Sequence, residues 1–273
     1  MAQNILDRIL ETKRKELAEQ MASQPLAAVQ AEIASAPAAR NFFTACTRPP
    51  RRLVNVIAEV KRASPSAGVI KRDFDPAAQA RAYEQAGASA ISVLTDRTYF
   101  GGSLDDLRQV RQAVSLPVLR KDFIIDPYQV YQARAAGADA ILLIVQCLKP
   151  AELMDLLILA ASLKLTCLIE IHGMEQMLQM RSLVGFPHES YSLLGINNRD
   201  LATFQVDIAN TLRLAELASD PRTLVSESGI RTRADVQRLR AAGVQTVLVG
   251  ETLMRSENVA ATMDEVFGPA TAG

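Results

Sequence analysis

Two lysines and two glutamates stand where apolar runs stop: Glu59 and Lys61 in VNVIAEVK, Lys121 in LPVLRKD, and Glu170 in LTCLIEIH. An ammonium at the edge of a packed interior can protonate a carbonyl or a departing hydroxyl, and a neighbouring carboxylate can take a proton back. In IAEVKRASPSAG, the period of two of an extended strand puts Glu59 and Lys61 on one face at the strand's exit. Lys121 follows an apolar run in LRKDF. A partly apolar mouth is expected to lower its pKa toward neutrality, which suits a general acid; a Schiff-base lysine is the alternative. Glu170 shares a face with Leu168 and His172, and apolar walls or other carboxylates are expected to push it up as a proton shuttle. His172 is the weaker candidate, read as a cap on the next turn. GINNRDL adds the Asn197 amide and the Arg199 guanidinium.

Two further runs, RTLVSESG and QTVLVGE, end in glycine-bearing turns ahead of helix-forming sequence. Exposed backbone N–H groups and a helix start favour an anion there, which makes Glu227, Ser228, Gly229, Gly250 and Glu251 candidates for holding a phosphate. The segment SPSAGVIKRDFDP is long for a connection and carries Ser64, Ser66 and Gly68, as a mobile lid would. Its Lys71 and Arg72 read as solvated charge.

The elements that must position these groups have an internal rhythm. EQAGASAISVL, ARAAGADAILLI and LRAAGVQTVLVG each place an alanine-rich helix, a glycine able to take the left-handed cap, and an apolar strand in succession. Asp75-Pro76 and Asp126-Pro127 set a capping carboxylate before a proline suited to the first helical position, and Lys149-Pro150 opens another helix without the carboxylate. Strands are expected near residues 54–60, 90–95, 117–121, 139–145, 165–171, 193–197, 223–227 and 245–249, with helical patterns between them. Alternating strand and helix units of this kind specify an α/β fold, a single (β/α)8 barrel with its site at the carboxyl ends of the strands. A doubly wound open sheet is the runner-up. Residues 51–273 form the barrel in this reading, and 1–50 form a helical extension in which Ile5, Leu6, Ile9, Leu10, Leu17 and Met21 recur at helical spacing. That helix must cover an apolar surface, either as a packing plug or as a cap on one mouth.

Composition narrows the partners. The 273 residues carry 30 basic and 30 acidic side chains, so no global field recruits nucleic acid or an anionic bilayer. No secretory block or membrane-length apolar run is present, which points to a cytoplasmic enzyme or binding protein, a monomer or weak homo-oligomer. Cys46, Cys147 and Cys167 have no metal-type spacing and read as buried reduced thiols.

AEVKRASPS, the segment from LTD to YFGGS at 94–103, LRKDFI, IEIH, GINNRDL, SESGI and VGETLMR follow one another over about residues 55–255. In order and spacing this resembles the indole-3-glycerol-phosphate synthase family. The resemblance implies ring closure, decarboxylation and dehydration of a carboxyphenylamino deoxyribulose 5-phosphate, a step of tryptophan biosynthesis, with a phosphorylated small molecule as the only partner and no cofactor or metal. It also implies roles. Lys121 would protonate the substrate carbonyl, Lys61 would meet the carboxylate and serve the departing hydroxyl, and Glu170 would shuttle protons. Glu59 and Asn197 would orient the lysines and sugar hydroxyls, Ser64, Ser228 and the backbone near Gly229, Gly250 and Glu251 would hold the phosphate, and Phe100 and Phe123 would flank the aromatic ring. Glu251 replaces a serine found in some members. Two alternatives are a phosphoribosylanthranilate isomerase-like barrel, whose family uses a cysteine after the first strand and an aspartate after the sixth, and a non-catalytic barrel that binds phosphorylated ligands.

Overall fold

The computed structural model describes residues 5–71, 73–180, 182, 192–200 and 203–271. Three helices come first: α1 (Ile5–Ser23), α2 (Leu26–Glu32) and α3 (Phe42–Thr47). The chain then runs through β1 (Asn55–Val60), β2 (Ala63–Ser64), β3 (Gly68–Val69), α4 (Pro76–Gln85), β4 (Ala90–Leu94), α5 (Arg97–Phe100), α6 (Leu104–Ala113) and β5 (Val118–Lys121). Next are α7 (Pro127–Ala135), β6 (Ala140–Ile144), α8 (Pro150–Ser162), β7 (Thr166–Ile171), α9 (Met174–Met180), β8 (Ser192–Asn197) and α10 (Ala209–Ala215). The chain closes with β9 (Leu224–Glu227), α11 (Arg233–Ala241), β10 (Thr246–Val249), α12 (Glu251–Met254) and α13 (Val259–Phe267).

β1 and β4 through β10 form a closed parallel barrel in chain order, sealed where β1 pairs with β10. The open-sheet alternative is thereby excluded, and every expected strand lies within a residue or two of its place. The local signals act as anticipated. Asp75 and Asp126 accept the Ala78 and Tyr128 N–H groups at the starts of α4 and α7. Gly87, Gly137 and Gly243 end their helices with φ between 84° and 88°, a left-handed turn that glycine makes without steric cost. The lid segment holds a short hairpin, β2 paired with β3, that periodicity did not reveal. Lys71 on that segment is exposed and donates to Gln79 on α4 at 2.8 Å; Arg72 lies outside the described residues.

The barrel wall sorts its side chains by the strand period of two. Val56, Ala58 and Val60 pack outward with the helices. Ile57, Leu119, Leu168 and Val225 meet inside, one from each alternate barrel strand. Two residues further along the same four strands come Glu59, Lys121, Glu170 and Glu227. The ionisable groups therefore occupy the position of the next packing layer, at the carboxyl end.

The segment before β1 closes both ends. Phe42 and Cys46 of α3 join the interior cluster from below, where Asn55 and Thr246 at the strand starts donate to the Cys46 carbonyl. Leu6, Ile9 and Leu10 of α1 join the same cluster from above. Between them the chain passes down the side of the barrel, with Leu17 and Val29 packed on Tyr128 of α7. α1 thus packs on the barrel and also lies over the mouth at the carboxyl ends of the strands.

α1 is fastened by a buried ion cluster that periodicity could not show. Lys13 lies 2.9 Å from Asp96 and 3.1 Å from Asp122. Asp122 also receives Arg120, Thr95 and the Phe123 N–H. Burial alone would raise the Asp122 carboxyl, but Arg120 and Lys13 outweigh it and hold it at about 2. Replacing Lys13 by alanine leaves the buried Asp96 without a cation among the described residues and Asp122 with Arg120 alone, and we expect a loss of about 3–5 kcal/mol in urea unfolding. A loss within the surface range of about 0–1 kcal/mol would show that the cluster does not hold α1. The depressed Asp122 value gives stability that is complete above the ordinary carboxyl value of 3.8 and disappears as pH falls from there toward 2. Acid titration of stability in Asp122→Asn should lack that component.

Candidate active site

The cavity beneath α1 gathers Glu59, Lys61, Lys121, Glu170 and Asn197, together with Ser64, Phe100, Phe123, Arg199, Glu227, Ser228, Gly229, Gly250 and Glu251; His172, the weaker candidate, lies outside it. Ile5, Leu6 and Ile9 roof it. Arg231 also lines it, a cation that the sequence reading passed over although it follows the SESG turn by two residues.

At the centre, Lys121 Nζ lies 3.1 Å from Glu170 and 3.4 Å from Glu227. Lys61 Nζ lies 2.5 Å from Glu59. Asn197 Nδ2 donates to Glu170 Oε1 at 3.1 Å, and its Oδ1 receives the Arg199 N–H at 3.0 Å. Glu59, Glu170 and Glu227 are all buried. Three buried carboxyls outnumber the two ammonium groups, and the one with the weakest compensation is driven toward its neutral form.

That carboxyl is Glu227. Burial is the strongest influence on it, and with the Glu170 and Glu59 carboxylates it outweighs the pull of Lys121, pushing the group up to about 8. Its Oε1 has no hydrogen-bond partner among the described residues. Glycine at 195 permits this placement, since a Cβ there would lie 2.3 Å from that oxygen. Glu170 behaves oppositely to expectation. Burial pushes it up, but Lys121, His172 and the Asn197 hydrogen bond prevail and hold it below the usual carboxylate value. The expectation for Lys121 is likewise corrected. Burial lowers it, yet Glu170, Glu227 and Glu59 outweigh burial and raise it above the ordinary lysine value. The mouth is less apolar for this amine than the strand pattern implied. An ammonium so held is a proton donor and hydrogen-bonding cation, which disfavours the Schiff-base alternative.

The rim is built differently. Ser228 and Gly229 follow β9 with φ of 65° and 81°, and Ser228 is one of few non-glycine residues in the left-handed region. Gly250 caps the short α12, and a Cβ on it would lie 2.2 Å from Glu59 Oε1. Glu251 lines the cavity in an ion pair with Arg255 at 3.1 Å and stands 3.9 Å from Arg199. Ser64 Oγ accepts the Ala67 N–H on the hairpin. Phe100 and Phe123 form a tilted pair with centroids 6.2 Å apart. The cysteines take no part. Cys46 and Cys167 are buried and Cys147 half-buried, and burial, with the Glu170 carboxylate adding to it, pushes the Cys147 thiol up to about 12.

A closed barrel with a lysine–carboxylate layer at its carboxyl face and glycine turns at its last two strands defines a barrel enzyme of acid–base chemistry. The indole-3-glycerol phosphate synthase family profile matches residues 6–266. Indole-3-glycerol phosphate synthase of Rhodopirellula baltica is 49% identical over 255 residues, covering 93% of this chain and 95% of that one. The synthases of a Polaromonas species and of Neisseria gonorrhoeae are 46% and 48% identical, each over 97% of this chain and over 98% and 99% of their own. The chain belongs to the indole-3-glycerol phosphate synthase family, a family of carboxy-lyases in tryptophan biosynthesis. Among solved structures, N-acetylmannosamine-6-phosphate 2-epimerase from Clostridium perfringens superposes with TM-score 0.57 at 15% identity, over 74% of this chain and 88% of that one. Thiamine phosphate pyrophosphorylase from Pyrococcus furiosus gives 0.54 at 16%, over 79% and 95%. These two share the fold alone. The isomerase and ligand-binding alternatives gain no support, and no helix among the described residues is long and apolar enough to cross a membrane.

One carboxyl of the site should titrate near pH 8, protonated below and charged above. In carbon-13 NMR of glutamate-labelled protein we expect one such resonance, absent from Glu227→Gln. If no glutamate titrates above neutrality, the charge count given for the layer is wrong.

Proposed function

We propose that this chain converts 1-(2-carboxyphenylamino)-1-deoxyribulose 5-phosphate to indole-3-glycerol phosphate, carbon dioxide and water, with Lys121 as the acid that opens the reaction. The observation that carries this reading is the Lys121 ammonium held between Glu170 and Glu227, beside the Lys61–Glu59 pair. As the aryl carbon attacks the ketone, Lys121 protonates the developing alkoxide. Carbon dioxide then leaves from the same ring carbon. Lys61 faces the substrate carboxylate during closure and protonates the departing hydroxyl, while Glu170 takes the proton lost from carbon as the pyrrole ring forms. Glu59 and Asn197 orient Lys61 and Glu170 respectively, consistent with their hydrogen bonds.

The rest of the cavity suits the rest of the substrate. The tilted Phe100–Phe123 pair offers an apolar slot for the benzenoid ring. Ser64, Ser228 and the backbone at Gly229 and Gly250 are the proposed phosphate contacts, supported by the open turn after β9 and by Arg231 in the same wall. Arg199 anchors that wall through Phe204 and Glu251. Within the extension of residues 1–50, α1 serves in this proposal as the roof over the bound molecule.

Replacing Lys121 by alanine removes the first proton donor while leaving a small side chain at a strand end. The variant should fold, with a normal far-ultraviolet dichroism spectrum, and lose about 10²- to 10⁴-fold in kcat by indole fluorescence. Near-normal turnover would remove Lys121 from the mechanism.

A further inference from the structure

His172 directly follows β7 and stands behind Glu170, with no part in the steps above. Its backbone is pinned on both sides: the N–H donates to Gln176 Oε1 at 2.7 Å, and the carbonyl accepts from Asn210 Nδ2 at 3.1 Å. The ring is not pinned. Its side chain is only 10% exposed, yet neither ring nitrogen has a hydrogen-bond partner among the described residues. Nε2 lies 3.5 Å from Glu170 Oε1, while the other oxygen of that carboxylate faces Lys121 at 3.1 Å. His172 also lines a second cavity, which shares Asn197 and Arg199 as a wall with the catalytic one. That cavity is polar, with Asn198, Asp200, Asp207, Asn210 and Arg213 around it. A buried imidazole without partners is costly unless it has work that needs it free.

Proton accounting supplies that work, on the proposed reaction. Two protons go to oxygen, one at the ketone and one at the departing hydroxyl. One proton returns from carbon. Carbon dioxide leaves the carboxylate with none, so each turnover draws one net proton from solvent into a cavity roofed by α1.

We propose that His172 is the port for that proton, relaying it from water in the polar cavity to Glu170 and thence to the lysine pair. The imidazolium gives its Nε2 proton to Glu170 Oε1 and becomes neutral. Oε2 by then holds the proton taken from carbon, and that proton moves to the Lys121 amine and restores the ammonium. The proton left on Oε1 is the one that returns Lys61 to its ammonium, so two protons enter Glu170 and two leave in each turnover. A half-turn of the unpinned ring about Cβ–Cγ carries the emptied Nε2 to the polar cavity, where water protonates it. His172 touches no substrate atom and acts through Glu170.

The test uses the full chain with His172→Ala and His172→Gln, assayed for indole-3-glycerol phosphate in dilute and in concentrated imidazole buffer. The relay predicts that kcat drops by about 10-fold in dilute buffer, less than the 10²–10⁴-fold expected for a group acting in the transition state. It also predicts an unchanged KM and a kcat that climbs back with imidazole concentration, while the unaltered chain ignores the buffer. The pinned backbone lets the glutamine variant report if the alanine variant melts early. Unchanged kcat in dilute buffer would mean that the proton enters by the open mouth, and a loss that imidazole does not repair would leave the ring a merely structural part; either result overturns the relay. Absence of indole product from the unaltered chain would instead overturn the reaction on which the relay rests.

Discussion

Everything in the site follows from placing three carboxyls and two ammonium groups where a barrel would otherwise stack aliphatic side chains. Ile57, Leu119, Leu168 and Val225 form an interior layer, and Glu59, Lys121, Glu170 and Glu227 stand one step above it on the same strands. Their spacing is thus set by strand closure and not by their own attraction. A low-dielectric wall strengthens each charge–charge interaction and penalises each unpaired charge. The result is a raised Lys121, a depressed Glu170 and a neutral Glu227 within one hydrogen-bonded group.

The roof answers a related need. A site whose charges depend on exclusion of water must be covered, and α1 covers it with Leu6, Ile9 and Leu10. Apolar contact alone would let a terminal helix slide. The Lys13–Asp96–Asp122 cluster fixes its register, and Asp122 immediately follows Lys121, so the clasp on the roof and the central amine share one strand end.

Small backbones make room for these groups. Gly195 lies under Glu227 and Gly250 against Glu59, each at a distance that a methyl group could not share. These glycines act through absence of bulk. The left-handed Ser228 is the complementary case, a strained residue at the turn proposed to meet phosphate.

Much of this was legible in the chain. Apolar runs, glycine caps and Asp-Pro starts are local signals, and they located the strands because each depends on a few neighbouring residues. The period of two sufficed to pair Glu59 with Lys61. It could not find the Lys13 cluster, whose members come from α1 and two separate strand ends, nor the β2–β3 hairpin, whose strands are too short for any period. It also reversed the proton affinities of Lys121 and Glu170, because a pKa depends on which charges lie within a few ångströms, and those charges are distant in sequence. The sequence by itself thus determined the strand order, the chemical types at the strand ends and the family. Only the tertiary structure decided which carboxyl stays neutral, what fastens the roof, and that His172 lies behind Glu170, since each of these is a distance between segments that meet only when the barrel closes.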